Sequence, residues 1–264
     1  MKRSYLSLGA IAASTCTALS LPFRSTSNTS KNKPPAFILA GDSTTAIQNP
    51  AGGGWGYGFL SFLKSPGWGI DLGIDGATTV SYVKGNIWYS VEGYVATKLN
   101  EGYAPYVTIA FGHNDQKPAA NISLDQYQTN LEVLARNISI LGATPLLVTP
   151  LTRRAFTSEH NATDSLHDQR LRTIAAAEAV GATLIDLNKY SLEYVDRIGN
   201  ESAQAYNLDD TPSDTTHLNV WGSVVFGRIV ADLLLAEVAE LRPWFKSNES
   251  LSYKISHGTA AYET

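Results

Sequence analysis

The stretch Ala36-Phe37-Ile38-Leu39-Ala40-Gly41-Asp42-Ser43-Thr44 decides how the rest of the chain is read. Five apolar residues without a charge suit a strand buried on both faces, and the glycine that follows suits a tight turn into a serine where a helix could begin. Four further short apolar runs follow, at 69–73, 106–111, 145–149 and 183–186, with Asp71 and Asp186 their only charged residues. Longer amphipathic stretches lie between and after them, at 57–63, 89–99, 124–141, 166–180, 191–198 and 220–241. In the last of these Val225, Ile229, Ala231, Leu233, Leu234 and Val238 are spaced to bury one face. Short buried strands alternating with helices predict an α/β chain whose parallel sheet is covered by helices.

Composition agrees with one such domain. The 264 residues are 44% hydrophobic, 10% aromatic and 17% charged, with 21 Gly and 11 Pro. That is enough for a single sizeable core, and it excludes coiled coil, collagen and a disordered polyelectrolyte. The formal charge of −4, without a long Lys/Arg run, excludes the field that a phosphate backbone requires, so no nucleic-acid partner is expected.

Residues 1–20 have the three parts of a secretory signal: Lys2 and Arg3, the apolar run Leu6 to Leu19, and small residues at Ala18 and Ser20. The run falls short of about 20 spanning residues, and no later segment is long and apolar enough to span, so no membrane partner is expected. Loss of Lys2 and Arg3 with the signal takes the formal charge from −4 to −6. The only cysteine, Cys16, goes with it, which excludes disulfides and thiol chemistry from the mature chain. Asn-x-Ser/Thr occurs at Asn28, Asn121, Asn137, Asn161, Asn200 and Asn248, a second witness for a secreted, extracellular protein. Residues 21–35 are expected to form a flexible leader, 36–246 the folded domain, and 247–264 a weakly ordered tail.

Open parallel sheets place ligands at the carboxyl ends of their strands, so the residues after each apolar run are the place to look for chemistry. After the first comes Ser43, which is either an N-cap or a nucleophile beside amides able to stabilise an oxyanion. The G-x-S-x-G pattern of the nucleophile elbow is absent there. After the second comes Gly73-Ile-Asp-Gly76-Ala-Thr-Thr79, and after the third Gly112-His113-Asn114-Asp115. A glycine N–H and an asparagine amide would add two donors to the serine's own N–H. Before the last helical stretch, Asp214-Thr215-Thr216-His217 can put an orienting carboxylate and a base on one loop. Asp209 and Asp210 could compete for the carboxylate role at longer spacing. His160, His167 and His257 fall outside all of these blocks, and no cluster has metal-ligand spacing beyond Asp214 and His217.

Taken in order, GDS at 41–43, Gly76, GHND at 112–115 and DTTH at 214–217 resemble the four blocks of the SGNH (GDSL) hydrolases. AGDST at 40–44, GGWG at 53–56, FGHND at 111–115 and TPLTRR at 149–154 are similar to the rhamnogalacturonan acetylesterase family of carbohydrate esterases. The resemblance spans residues 36 to 240 and implies a flavodoxin-like three-layer α/β/α fold with a five-stranded parallel sheet. It implies Ser43, Asp214 and His217 as the triad and Ser43, Gly76 and Asn114 as the oxyanion hole, with no metal and no cofactor. Here Gly76 is followed by Ala77, where some members carry Arg, and the disulfides of better known members cannot form.

The implied activity is that of a secreted serine esterase that removes acetyl groups from an acetylated plant cell-wall polysaccharide, pectic rhamnogalacturonan, and acts as a monomer. The same class of chemistry would serve xylan or small acetyl esters. A secreted carbohydrate-binding protein without turnover would be expected to have lost a triad position. Arg153 and Arg154 are either braced by the scaffold or grip a uronate carboxylate. Trp88, like Trp55 and Trp221, either packs in the core or stacks on a sugar face.

Overall fold

In the computed structural model, which describes residues 33–47 and 53–262, the leading apolar stretch is β1 (Pro35–Gly41), buried along its whole length. Its side chains alternate between two cores. Phe37 and Leu39 enter one, Ile38 and Ala40 the other, as the two-residue period of a strand requires. After β1 the chain forms α1 (Gly56–Ser61), β2 (Trp68–Asp71), α2 (Thr79–Lys84), α3 (Ile87–Asn100) and β3 (Ala104–Ala110). There follow α4 (Leu124–Ile140), β4 (Thr144–Val148), a small hairpin of β5 (Phe156–Ser158) and β6 (Asn161–Ala162), and α5 (His167–Val180). The chain continues through β7 (Thr183–Ile185), α6 (Leu187–Ile198), α7 (Asn200–Gln204), α8 (Val220–Glu237) and α9 (Glu249–Ser256).

The main sheet has the order β2-β1-β3-β4-β7, with every neighbouring pair parallel. This is the five-stranded α/β/α arrangement expected from the sequence. Helices α1, α6 and α8 cover the face that carries Phe37, Leu39, Leu146 and Val148, while α3, α4 and α5 cover the face that carries Ile38, Val107, Ile109 and Leu147. β1 pairs with β2 on one side and β3 on the other, so the loops leaving β1 and β3 diverge at its carboxyl end. Such a switch point leaves a crevice above the sheet, and both Ser43 and Asn114 lie in the loops that bound it.

Two helices fix the frame of that crevice. α1 and α8 cross so closely that a Cβ at Gly58 would lie 1.9 Å from the Ser223 carbonyl oxygen, and one at Gly227 would lie 2.3 Å from the Phe59 nitrogen. Glycine is therefore required at both positions. α8 starts at Asn219, whose side chain accepts from the Gly222 amide, two residues after His217. Its end at Glu237 falls short of the expected 241, because a 3-10 segment containing Pro243 follows (Ala239–Trp244).

The tail differs from expectation. Asn248 caps α9, Leu251 and Ala261 are buried, and the Tyr206 hydroxyl donates to the Ala261 carbonyl at 2.6 Å. The composition of the segment is polar, but its few apolar residues meet a groove that exists only once the domain has folded. Helices α2, α7 and α9 and the β5–β6 hairpin were not expected; each has eight residues or fewer and little periodicity of its own. The signal, Cys16, Asn28 and leader residues 21–32 lie outside the described residues, whereas Pro35 already belongs to β1. Among the described residues no helix is long and apolar enough to cross a membrane.

Candidate active site

The turn after β1 is built by Asp42. Its Oδ1 accepts from the Thr44 amide at 2.9 Å and the Thr44 hydroxyl at 2.7 Å, while its carbonyl accepts from the amides of Thr45 and Ala46. These bonds fold the backbone back and leave Ser43 at the tip. Asp42 is wholly buried with Oδ2 unpartnered, and burial pushes its carboxyl up to about 6 even though the Thr44 bonds work in the other direction.

Ser43 Oγ lies 2.8 Å from His217 Nε2, and His217 Nδ1 lies 2.7 Å from Asp214 Oδ2. Burial would raise Asp214, but its bonds from His217 and from the amides of His217 and Thr216 outweigh this and hold the carboxyl below its ordinary value. An ionised carboxylate can only accept, so the imidazole proton sits on Nδ1 and Nε2 is left to accept from the serine hydroxyl. Asp214 Oδ1 is occupied by the amides of Thr216 at 2.8 Å and His217 at 3.0 Å. The carboxylate therefore both folds its own loop and orients the base. Asp209, the competing candidate, accepts from Asn219 Nδ2 at 3.1 Å instead.

The second and third loops complete the cleft, which has a volume of about 280 Å³ and is lined in part by Ser43, Gly76, Asn114, Lys117, Arg153 and His217. At Gly76 φ is +73°, a conformation that favours glycine although a Cβ would meet nothing within 4 Å. The amides of Ser43 and Gly76 have no acceptor among the described residues. Asn114 Nδ2 donates to the Ala77 carbonyl at 3.0 Å, and its Oδ1 accepts from Lys117 Nζ at 2.6 Å, so the amide cannot flip without two like-against-like contacts. One N–H of Nδ2 is used by Ala77 and the other remains. Ser43 N–H, Gly76 N–H and this second proton are three donors around one small volume, an arrangement suited to a developing oxyanion.

His113 and Asp115 flank Asn114 from below. His113 Nε2 lies 2.8 Å from the Leu151 carbonyl, and burial, reinforced by nearby Arg153, pushes the imidazole down to about 3, so it is neutral. Asp115 Oδ1 accepts from the Thr79 amide and hydroxyl at 3.0 and 2.6 Å, which ties the third loop to the start of α2.

Arg153 lines the cleft, donating to Thr216 Oγ1 at 3.2 Å and Ser165 Oγ at 2.9 Å, with no carboxylate in salt-bridge range among the described residues. Two of the proposed substrate contacts need correction. Arg154 does not reach the cleft: it is fully buried beneath the 214–217 loop, with its Nε on Asn207 Oδ1 at 2.6 Å. Trp88 is also buried, donating from Nε1 to Asn137 Oδ1 at 2.9 Å and packing edge-on to Tyr82. Trp55 has no exposed surface, whereas Trp221 is 42% exposed and packs 5.7 Å from the ring of Tyr262. Lys117, Asp75 and Thr216 line the cleft without having been assigned a role from the sequence. Lys117 lies three residues after Asn114, before a proline.

A model of the GDSL-like lipase/acylhydrolase family matches residues 39–224. The rhamnogalacturonan acetylesterase RhgT of Bacillus subtilis is 27% identical over 213 residues, covering 76% of this chain and 89% of that protein. Among solved structures, the YXIM protein of Bacillus subtilis has a TM-score of 0.68 at 22% identity; the match covers 78% of this chain and 57% of that one. An acetylxylan esterase of Geobacillus stearothermophilus has a TM-score of 0.54 at 21% identity over 79% of this chain and 96% of that one. At these identities the two structural likenesses concern the fold alone.

Proposed function

The chain belongs to the GDSL-like lipase/acylhydrolase family and is a carboxylic ester hydrolase, and from this premise we propose that it is a secreted esterase that removes acetyl groups from pectic rhamnogalacturonan. The observation that carries the reading is the continuous relay Ser43–His217–Asp214 opening into a cleft that also holds Arg153 and Lys117. Ser43 Oγ attacks the acetyl carbonyl while its proton passes to His217 Nε2, and the tetrahedral oxyanion is met by the amides of Ser43 and Gly76 and by Asn114 Nδ2. Collapse expels the sugar oxygen, which takes the proton from His217, and leaves an acetyl-serine. Water that yields a proton to the same imidazole then releases acetate and restores Ser43. Asp214 stabilises the imidazolium in both halves.

The pectic part of the proposal is supported by the cations. A chain of negative net charge repels a polyuronate overall, so binding needs local positive charge, and among the described residues at the cleft Arg153 and Lys117 stand against the single carboxylate of Asp75. The similarity to the acetylesterase named above supports the same reading, and the signal-like pattern of residues 1–20 is why secretion is part of the proposal. Acetate release should be measured for wild type and Ser43→Ala on acetylated rhamnogalacturonan, acetylxylan and a small neutral acetyl ester. The expected result is the highest kcat/KM on rhamnogalacturonan and none above background for the variant. Faster release from acetylxylan would refute the pectic assignment, and a folded, active Ser43→Ala would refute the nucleophile.

A further inference from the structure

Arg154 carries a charge that the relay does not use, in a place where a charge is costly. Its side chain has no exposed surface, and no carboxylate lies within salt-bridge range among the described residues. Its partners are neutral oxygens. Nε donates to Asn207 Oδ1 at 2.6 Å, Nη2 to the His217 carbonyl, and Nη1 to the Thr216 carbonyl at 3.5 Å. The Arg154 amide adds a bond to the Thr215 carbonyl at 2.8 Å. Three successive carbonyls, 215, 216 and 217, are thus gathered by one residue.

The acceptor side is itself braced. Asn207 Nδ2 donates to the Pro212 carbonyl at 2.7 Å and to Gln204 Oε1, and Gln204 Nε2 donates to the Arg154 carbonyl at 2.8 Å. From Pro212 to His217 the loop is therefore held by hydrogen bonds: its own bonds to Asp214, the Arg153 bond to Thr216, and beneath them the set formed by Arg154, Asn207 and Gln204. We propose that Arg154 is a positioning residue for the esterase reaction: its planar fork, locked by Asn207, sets the height and rotation of the loop that presents Asp214 and His217 to Ser43. A lysine cannot reproduce the fork, since a single ammonium cannot meet the His217 carbonyl and Asn207 Oδ1 in fixed directions. The inference rests on the relay reading above and concerns only what holds the relay in register.

Displacement of a reacting group by about 1 Å costs about 10²-fold in rate. Arg154→Lys should therefore stay folded and lose about 10²-fold in kcat on a small neutral acetyl ester, with KM within about threefold of wild type. The downfield NMR resonance of the His217 Nδ1 proton, bonded to Asp214, should be lost or broadened in the same variant. Asn207→Ala, which keeps the guanidinium but frees its Nε, should show both effects to a smaller degree. A folded Arg154→Lys with kcat close to wild type, or with a loss of kcat while the imidazole proton is unchanged, would overturn the proposal. If Arg154→Lys does not fold, the same two readouts on Asn207→Ala decide. Activity that survives Ser43→Ala would remove the relay reading itself, whereas an inactive Ser43→Ala beside an unaffected Arg154→Lys would remove only the role of Arg154.

Discussion

Asp214→Asn changes one atom and, by the geometry of the loop, should invert the tautomer of the base. Oδ1 of Asp214 faces two backbone donors, the amides of Thr216 and His217 at 2.8 and 3.0 Å. Neither can rotate away. An asparagine that turned its NH2 toward them would oppose two N–H groups and lose both bonds, at about 2–6 kcal/mol together. It will therefore keep its carbonyl oxygen there and direct its NH2 at His217 Nδ1, 2.7 Å away in the wild type. Nδ1 must then accept, the ring proton moves to Nε2, and Ser43 Oγ at 2.8 Å meets a donor in place of an acceptor. The corresponding exchange in serine proteases lowers kcat by about 10⁴. At about 1.4 kcal/mol per decade this is roughly 5 kcal/mol of transition-state stabilisation. Steady-state kinetics on a small neutral acetyl ester, with thermal unfolding alongside, test it: kcat should fall by about 10⁴ while KM and Tm change little. A folded Asp214→Asn within about tenfold of wild-type kcat would refute the tautomer argument and with it the role assigned to Asp214.

Asn114→Ala removes one oxyanion donor and should lower kcat by about 10²- to 10³-fold on the neutral ester, and a rise in KM alone would make Asn114 a ground-state contact instead. Arg153→Glu should weaken kcat/KM on acetylated rhamnogalacturonan by about tenfold or more while leaving the neutral ester nearly untouched, and added salt should weaken the wild type on the polymer alone. Equal loss on both substrates would make Arg153 a scaffold residue. Asp71, at the end of β2, has Oδ2 sealed without a partner, and burial pushes its carboxyl up to about 7 although the Gly73 amide at 2.9 Å works against the shift. A carboxyl raised on folding contributes stability at acid pH that is lost as pH rises through the folded value. Asp71→Asn should thus raise Tm at pH 8 by about 3 °C or more and change it little at pH 4, and a uniform change at both would refute the linkage.

The sequence alone was enough for whatever depends on neighbours along the chain. Short, mainly apolar runs identified all five strands of the sheet to within two residues at either end: the inner strands β1, β3 and β4 are packed from both sides, and the edge strands β2 and β7, although half-buried and in β2 carrying Asp71, still turn apolar residues toward the helices. The family blocks pointed to Ser43, Gly76, Asn114, Asp214 and His217, since each sits in a local turn, three after strands and one before α8: the Asp42 turn, the positive φ of Gly76 and the Asp214 loop are each closed within a few residues. Tertiary structure alone decided which of two adjacent arginines faces the cleft. Arg153 and Arg154 look alike in sequence, but their side chains leave the backbone toward different surroundings. One emerges into the cleft, and the other turns under a loop contributed from some sixty residues further along the chain. The same holds for Trp88, whose partner Asn137 lies on another helix, and for the tail, whose Leu251 and Ala261 find their places only in a groove made by the folded domain. Burial depends on contacts between distant segments, and no pattern within a short window carries that information.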